Sequence, residues 1–557
     1  MLKVLKNHYL WAAVLAAGLL LTLGAPLWIV LESGLKKELF LEIWRNPIYS
    51  EGLLNAFIIA GGTTLLTLCI ALPMSFLYTN CRFRGHSLVH FAVLMPMILP
   101  PFVGALGFQH ILGHYGVINT LLTKIGLERI DMLGAGAGSM FAVILVESLH
   151  LFPVLFLNLA AALGNADNSC IEAARNLGVG RIKTFFRIRL PQIMPGIFAG
   201  ASIVAIWSFT ELGTPLMFGI SRITPVQIFN GITELENNPL PYTLVAVMLG
   251  VSIVLYALAK WLMLGSRKYS GSIKGSASVN IKQLAGWRNL LAGGFFLLIT
   301  LLALAPHIAL VLAAFGRNWC GTFLPDSYSL TNFTTALSDP LVLPSIFNSL
   351  KYSLLATLFA AVAGVLTAVL VVNCKIKGGR LLDAVTMLPL AVPGIVMAIG
   401  FLGLADTLNW KYFNPITSPA LFLAAAYAIR RLPYVVRSAS AGLEQMPAEL
   451  EEAGRNLGAG PWKVWCRITL PAITASLLAG IIFAFGFSML EVSDSLVLAQ
   501  RAESFPITRA IYELSSNLGS GPGQACAFGV WAMAFLGAAL FAGIKMAGKN
   551  SGNVFRF

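Results

Sequence analysis

Long uncharged, apolar runs alternate along this chain with short segments that hold most of its charge. A helix needs about 20 apolar residues to cross the hydrocarbon core of a bilayer. Runs of that kind predict spans near 10–31, 53–78, 88–112, 137–163, 193–220 and 243–265. Six more are expected near 289–315, 346–372, 383–404, 418–440, 471–498 and 527–546. The first run, Tyr9–Leu31, is too long for a signal-peptide core and lacks a small-x-small cleavage site before Glu32, so it reads as a retained span. Twelve spans place both termini on one side.

Composition sharpens this. Of 557 residues, 57% are hydrophobic and 11% charged, against about 25% charged in soluble domains. A soluble enzyme, a secreted disulfide scaffold and a disordered chain are excluded together. The seven cysteines are scattered singly with no CxxC, so they read as packing residues. The fold class expected is an all-α polytopic membrane protein.

The net charge of +14 would suggest nucleic acid in a soluble protein. Sorted by loop, 26 basic residues fall on the face shared with the termini and 10 on the other. The first group counts Arg430 and Arg431 with the loop that follows the tenth run. Basic residues concentrate in cytoplasmic loops. The termini are therefore expected in the cytoplasm, and the charge reports topology rather than a nucleic-acid partner.

The chain also repeats itself. Residues 172–191 (EAARNLGVGRIKTFFRIRLP) and 452–471 (EAGRNLGAGPWKVWCRITLP) match at 12 of 20 positions with an offset of 280. The same offset pairs Pro153 with Pro433, Gly200 with Gly480, Ser208 with Ser488 and Glu211 with Glu491. Upstream, an offset of 293 pairs Asn55 with Asn348, NCRFRG (80–85) with NCKIKG (373–378), and Pro96 and Pro100 with Pro389 and Pro393. Two homologous halves follow, 1–265 and 289–557, joined by a Gly/Ser/Lys-rich cytoplasmic linker at 266–288. An even number of spans in each makes them parallel repeats, with a pathway expected between them.

The repeated cytoplasmic segment reads as helix, glycine turn, helix. Asp167 and Asn168 are cap candidates in the first copy; Pro447, Glu449, Glu451 and Glu452 suit a first turn in the second. Gly178 and Gly180, and Gly458 and Gly460, suit a helix stop. Pro191 and Pro471 are expected to open the next span. Membrane orientation requires only Lys and Arg, so the joint recurrence of acid, glycine and Leu-Pro spacing points to a function.

The pattern resembles the EAA motif of binding-protein-dependent ABC importer permeases with the MetI-like fold. Glu172, Ala173, Ala174, Gly178, Ile188, Leu190 and Pro191 fit the first copy. Glu452, Ala453, Gly458, Ile468, Leu470 and Pro471 fit the second, with Gly454 where a second alanine is usual. The resemblance implies about 12 transmembrane helices in two MetI-like repeats. It also implies two coupling helices docking on two copies of a cytoplasmic ABC ATPase subunit, and a periplasmic substrate-binding protein. The chain would sit in the cell inner membrane as a non-enzymatic permease subunit, ATP being bound by its partner. A Gly543-x4-Gly548-Lys549 lookalike has Asn550 where a phosphate loop needs Ser or Thr. No cofactor, metal-ligand set or catalytic grouping is expected in this chain.

Ionisable residues in a membrane are functional candidates by default. Glu211 and Glu491 occupy matched positions with Asp494 one turn on, about 27 Å along their spans at ~1.5 Å per residue. They are candidates for the translocation path or for docking the binding protein near the outer mouth. Glu147 and His150 are weaker candidates, lacking a matching pair. Pro96/Pro100 and Pro389/Pro393 are expected to kink the third and ninth spans. The segments ILPPFVGA and SFTELGTP resemble those of fused ferric iron importer permeases, which implies ferric iron as the cargo. Thiamine, phosphonate and polyamine importers share the plan. An ion-coupled secondary transporter is the alternative of another class; it would leave the twin loops without a purpose.

Overall fold

The computed structural model describes residues 8–97, 101–133, 137–234, 238–266, 282–408, 414–517 and 519–546. Linker residues 267–281, Pro100, the terminal lysines Lys3, Lys6 and Lys549, and the Gly548–Asn550 end of the phosphate-loop lookalike lie outside them.

Among the described residues, nine helices are long and apolar enough to span a membrane, or eleven if two bent pairs each count once. In chain order they begin with α1 (His8–Gly34), α2 (Pro47–Asn80), the bent α3 (His86–Met97 and Pro101–Lys124) and α4 (Gly138–Gly164). A short helix α5 (Asn168–Asn176) precedes α6 (Arg181–Met217), α7 (Leu240–Met263) and α8 (Trp287–Phe315). The second half continues with α9 (Val342–Asn373) and the bent α10 (Gly379–Leu390 and Gly394–Thr407), followed by α11 (Pro419–Gln445), which is not among those spans. It closes with the short α12 (Ala448–Asn456), α13 (Pro461–Met489) and α14 (Gly521–Ala539). Helix α11 stands where the tenth run predicts a span and is 27 residues long, but Arg430 and Arg431 fall near its middle. These two arginines are therefore not loop residues; removing them from the 26 leaves 24 against 10.

Both bent spans break at the paired prolines. The pieces of α10 meet at 101°, with Pro389 in a 3-10 turn and Pro393 capping the second piece. Proline lacks the amide that a continuing helix needs and disfavours helix in the residue before it.

The helices pack as two compact units that do not coincide with the sequence halves. One holds 47–227 and 250–329; the other holds 1–46, 228–249 and 330–556. Each half's first span has changed units. In the first unit, α8 lies so close to α3 that a Cβ on Gly107 would strike the Pro306 carbonyl. In the second, α1 meets α10 in the same way, a Cβ on Gly400 falling 2.6 Å from the Pro26 carbonyl. Gly107 and Gly400 are related by the 293 offset, and Pro306 and Pro26 by the 280 offset. Only glycine admits a backbone this near. The repeat thus extends to the contacts, which the sequence offsets alone could not assign to one half or the other.

Two further joints obey the repeat. Gly200 lets α6 press on Leu155 and Asn158 of α4, and Gly480 lets α13 press on Ser438 and Tyr434 of α11. Asn55 donates to the Arg222 carbonyl at 2.8 Å, and Asn348 to the Glu503 carbonyl at 2.8 Å. The described end of the linker is fastened rather than free. Lys282–Gln283 pairs in parallel with Cys81–Arg82, and the Arg84 amide donates to Asn289 Oδ1 at 2.7 Å.

Candidate functional site

The EAA-like segments fold into one geometry twice. Helix α5 ends in a turn where the Gly178 amide bonds the Arg175 carbonyl (2.9 Å) and the Val179 amide the Ala174 carbonyl (2.9 Å). Helix α12 ends with Gly458 on Arg455 (2.9 Å) and Ala459 on Gly454 (3.1 Å). This paired closure requires a left-handed residue, and Gly178 and Gly458 have φ of +74° and +80°. Gly180 and Gly460 have ordinary negative φ and stand before the next helix, so the stop belongs to the first glycine of each pair.

Beyond the turn the structure departs from expectation. Pro191 and Pro471 do not open a new span: α6 and α13 already begin at Arg181 and Pro461. Each passes through one π turn, Phe185–Arg189 or Trp465–Thr469, before its proline. Such a turn widens the helix just before a residue with no amide to give. Ile188 and Ile468 lie in these π turns, and Leu190 and Leu470 follow them.

The copies differ in how they are held. In the first, Asp167 caps α5, its Oδ1 accepting from the Ser169 amide (2.8 Å) and hydroxyl (2.7 Å). Those bonds to the charged form hold its carboxyl below the usual range. In the second, Pro447 itself takes the cap position, and a buried Glu451 does the fastening. Its Oε1 accepts from Thr469 at 2.8 Å and its Oε2 from Arg455 at 2.9 Å. Ile171 stands at the corresponding place in the first copy and is buried too. The Gly454 departure also acquires a reason: a Cβ there would fall 2.5 Å from Ile468 Cδ1.

Glu172, Ala173, Glu452 and Ala453 are exposed, whereas Ala174 and Gly454 face inward. Most exposed are residues that sequence reasoning passed over. Leu177 is 82% and Leu457 88% accessible at the two turns, beside exposed Ile182 and Trp462. Both turns thus present a bare apolar side chain at the same place. Its signal was the shared Asn-Leu-Gly of both copies.

The membrane acids are arranged unequally. In the second half Glu491 and Asp494 are buried. Arg430 Nη1 contacts Glu491 Oε1 and lies 3.1 Å from Asp494 Oδ2; Arg431 Nη2 contacts Glu491 Oε2 and donates to the Phe487 carbonyl at 3.0 Å. Two acids thus meet two arginines, a balance hidden while the arginines are read as loop residues. In the first half, half-buried Glu211 follows the end of the helix Leu190–Phe209. Its Oε1 accepts from the amides of Gly213 (3.2 Å) and Thr214 (3.4 Å). One turn before it, Ser208 donates to Glu147 Oε2, which Thr63 approaches at 3.4 Å. His150 Nδ1 lies 3.2 Å from the Pro96 carbonyl, apart from this group. Among the described residues, no set of three or more His, Cys, Asp or Glu could hold a metal ion.

Comparison with known proteins follows this geometry. A sequence model of the family "Binding-protein-dependent transport system inner membrane component" matches residues 70–265 and 356–545, one stretch in each half. The ferric transport system permease protein FbpB of Actinobacillus pleuropneumoniae is 27% identical over 456 residues, covering 80% of this chain and 64% of that one. The Fe(3+)-transport system permease protein FbpB 2 of Haemophilus influenzae is 24% identical over 511 residues, covering 90% and 92%. The molybdenum transport system permease protein ModB of Escherichia coli is 33% identical over 199 residues, 34% of this chain and 86% of its own. Among solved structures, a bacterial ABC transporter that imports the acidic polysaccharide alginate aligns with a TM-score of 0.36, 14% identity, and 46% and 94% coverage.

Proposed function

The chain belongs to the binding-protein-dependent transport system inner membrane component family, and from that premise we propose a specific working cycle for it. It is a multi-pass permease of an ABC importer with two MetI-like repeats in one polypeptide. A periplasmic binding protein delivers the cargo, and two copies of a cytoplasmic ATPase subunit drive its passage inward. Both termini lie in the cytoplasm. The chain itself holds no ATPase site and no cofactor; ATP is bound by the partner.

The observation that carries this reading is the twin turn. Helices α5 and α12 end in the same glycine closure, each presenting a bare leucine and an exposed EAA glutamate. A rigid helix end with an apolar tip and an acid beside it suits a groove with basic walls. Because α6 and α13 continue from each turn without a break until residues 209 and 489, a push at the loop is transmitted along a long lever. Glu172, Ala173, Ala174, Gly178, Ile188, Leu190 and Pro191 are the coupling set of the first half. Glu452, Ala453, Gly458, Ile468, Leu470 and Pro471 are that of the second. Glu211, Glu491 and Asp494 mark the point where each lever ends, on the path of the cargo.

The cargo proposed is ferric iron. Two FbpB proteins, named for ferric transport, align over 80% and 90% of this chain, and oxygen-rich acidic sites suit a hard cation. Thiamine, phosphonate and polyamine carriers would share the coupling machinery; the acids disfavour anionic phosphonate among them, while the cationic thiamine and polyamines are separated from iron by the relatives and by the uptake test. The test is the double variant Leu177→Asp, Leu457→Asp in the reconstituted importer. It is expected to insert normally yet lose ATPase stimulation by loaded binding protein. Full stimulation would refute the docking assignment.

A further inference from the structure

Three positions of the second half's ion-pair network, and Tyr427 beside it, have polar counterparts in the first; Arg431 maps to Leu151. The 280 offset maps Arg430 to His150, Glu491 to Glu211, Asp494 to Thr214, and Tyr427 to Glu147. In the second half Tyr427 shares a 2.6 Å hydrogen bond with Ser495, and both acids are met by arginine. In the first half a carboxyl takes the place of the tyrosine and a histidine that of the arginine. That histidine is engaged with Pro96 instead.

A buried oxygen without a partner occurs in both halves, at Asp494 Oδ1 and the Ser488 hydroxyl in the second; what sets Glu147 apart is the lack, among the described residues, of an arginine beside it. It is 2% exposed, and among the described residues it makes no ion pair. One oxygen, Oε2, is served by the Ser208 and Thr63 hydroxyls. The other, Oε1, is buried with no hydrogen-bond partner. One turn beyond Ser208 comes Glu211, whose amide bonds the Ser208 carbonyl at 3.4 Å. The Thr214 hydroxyl, on the turn whose amides serve Glu211, is also fully buried and unpartnered. Glu147 with the Ser208 and Thr63 hydroxyls thus sits where α2, α4 and α6 meet, Glu211 and Thr214 follow within two turns of Ser208, and Glu147 and Thr214 each have an oxygen left unused. Buried carboxylate oxygens are ordinarily bonded, paired or coordinated.

We propose that Glu147, with Glu211 and the hydroxyls of Ser208, Thr63 and Thr214, is a binding station for a hard cation in transit. Carboxylate and hydroxyl oxygens form the donor set such an ion prefers, and soft sulfur or imidazole ligands play no part. The station exists in the first half alone: in the second, Tyr427 stands where Glu147 does and Arg430 and Arg431 pair with the acids. Its identification with the cargo rests on the ferric reading above; the cation chemistry of the site does not.

The test uses the full chain in detergent, titrated with terbium(III), a hard trivalent ion whose luminescence reports loss of coordinated water. Glu147→Gln, which keeps the shape and the bond from Ser208, is expected to weaken binding by about tenfold or more. Tyr427→Phe, its counterpart in the second half, is expected to leave binding unchanged. Ser208→Ala is the second variant should Glu147→Gln fail to fold, and is expected to weaken binding several-fold. Absence of terbium binding by the unmodified chain, or equal binding by Glu147→Gln and Ser208→Ala, would overturn the proposal and leave Glu147 as an acid that holds only a proton. Uptake of ferric ion by the reconstituted wild-type importer separately tests the parent reading. Failure there with Glu147-dependent terbium binding intact would refute iron as cargo and keep the station.

Discussion

At matched points of the two halves, one sequence pattern has produced two different electrostatic solutions. After α13, Glu491 is paired with Arg430 and Arg431 of α11 and Asp494 with Arg430, although Asp494 Oδ1 is itself buried without a partner. After α6, Glu211 leans on backbone amides, and Glu147 keeps one oxygen without a partner. The backbone frame is common to both: the same glycine contacts and the same break at the end of the lever. The repeat has therefore conserved its mechanics and let its chemistry diverge. A coupling element must move alike on both sides, whereas a site that handles cargo needs only one copy.

The largest expected effect breaks that contrast directly. Removing one partner of a buried ion pair strands the other charge, at a cost of about 3–5 kcal/mol. Arg431→Ala should lower the unfolding midpoint of the detergent-solubilised chain accordingly. Glu147→Gln keeps a hydrogen-bonding group and strands no charge, so its change should stay within about 1 kcal/mol. Equal destabilisation by the two would show that the halves are electrostatically alike after all.

Next come the turns, where the halves are expected to behave alike. A β-branched residue at the left-handed position costs about 1–2 kcal/mol. Gly178→Val and Gly458→Val should each distort a loop and depress ATPase stimulation, the double variant most. A strongly one-sided result would mean that only one loop engages the ATPase.

Smaller differences lie in how each loop is fastened. Glu451→Ala leaves Thr469 and Arg455 without their acceptor and is expected to cost about 1–3 kcal/mol. Ile171→Ala, with no such bonds to lose, should act through packing alone. A double-mutant cycle of Glu451 with Thr469 checks the difference. Gly454→Ala should change stability by less than about 1 kcal/mol, since the helix gain is offset by displacing the flexible end of Ile468.

The smallest effect is one of pH. The Asp167 carboxyl is lowered in the folded loop by the Ser169 bonds. Its contribution is complete above the ordinary carboxylate range and fades as pH falls through the lowered value. The protection of α5 amides relative to their intrinsic exchange rate should therefore fall in acid, and Asp167→Asn should flatten that response. An unchanged profile in the variant would remove Asp167 from the account.

Much of this was legible in the chain. Apolar run length placed the spans, because a bilayer demands it, and the offsets of 280 and 293 revealed the repeat. The paired prolines announced the bends of α3 and α10, and the glycines the turns. Three features escaped for physical reasons. Charge normally leaves the membrane, so composition assigns Arg430 and Arg431 to a loop; only their pairing with Glu491 and Asp494 explains their place in α11. The change of unit by α1 and α8 is invisible, because the same repeat offset fits either arrangement. Bare leucines at 177 and 457 look like any apolar residue until their accessibility is known.

The most direct test is ATP-dependent uptake of labelled ferric ion into proteoliposomes holding this chain, its ATPase and loaded binding protein. The account predicts accumulation that requires ATP and is abolished in the Gly178→Val, Gly458→Val double variant. Uptake that proceeds without ATP hydrolysis, or that survives in the double variant, would contradict it.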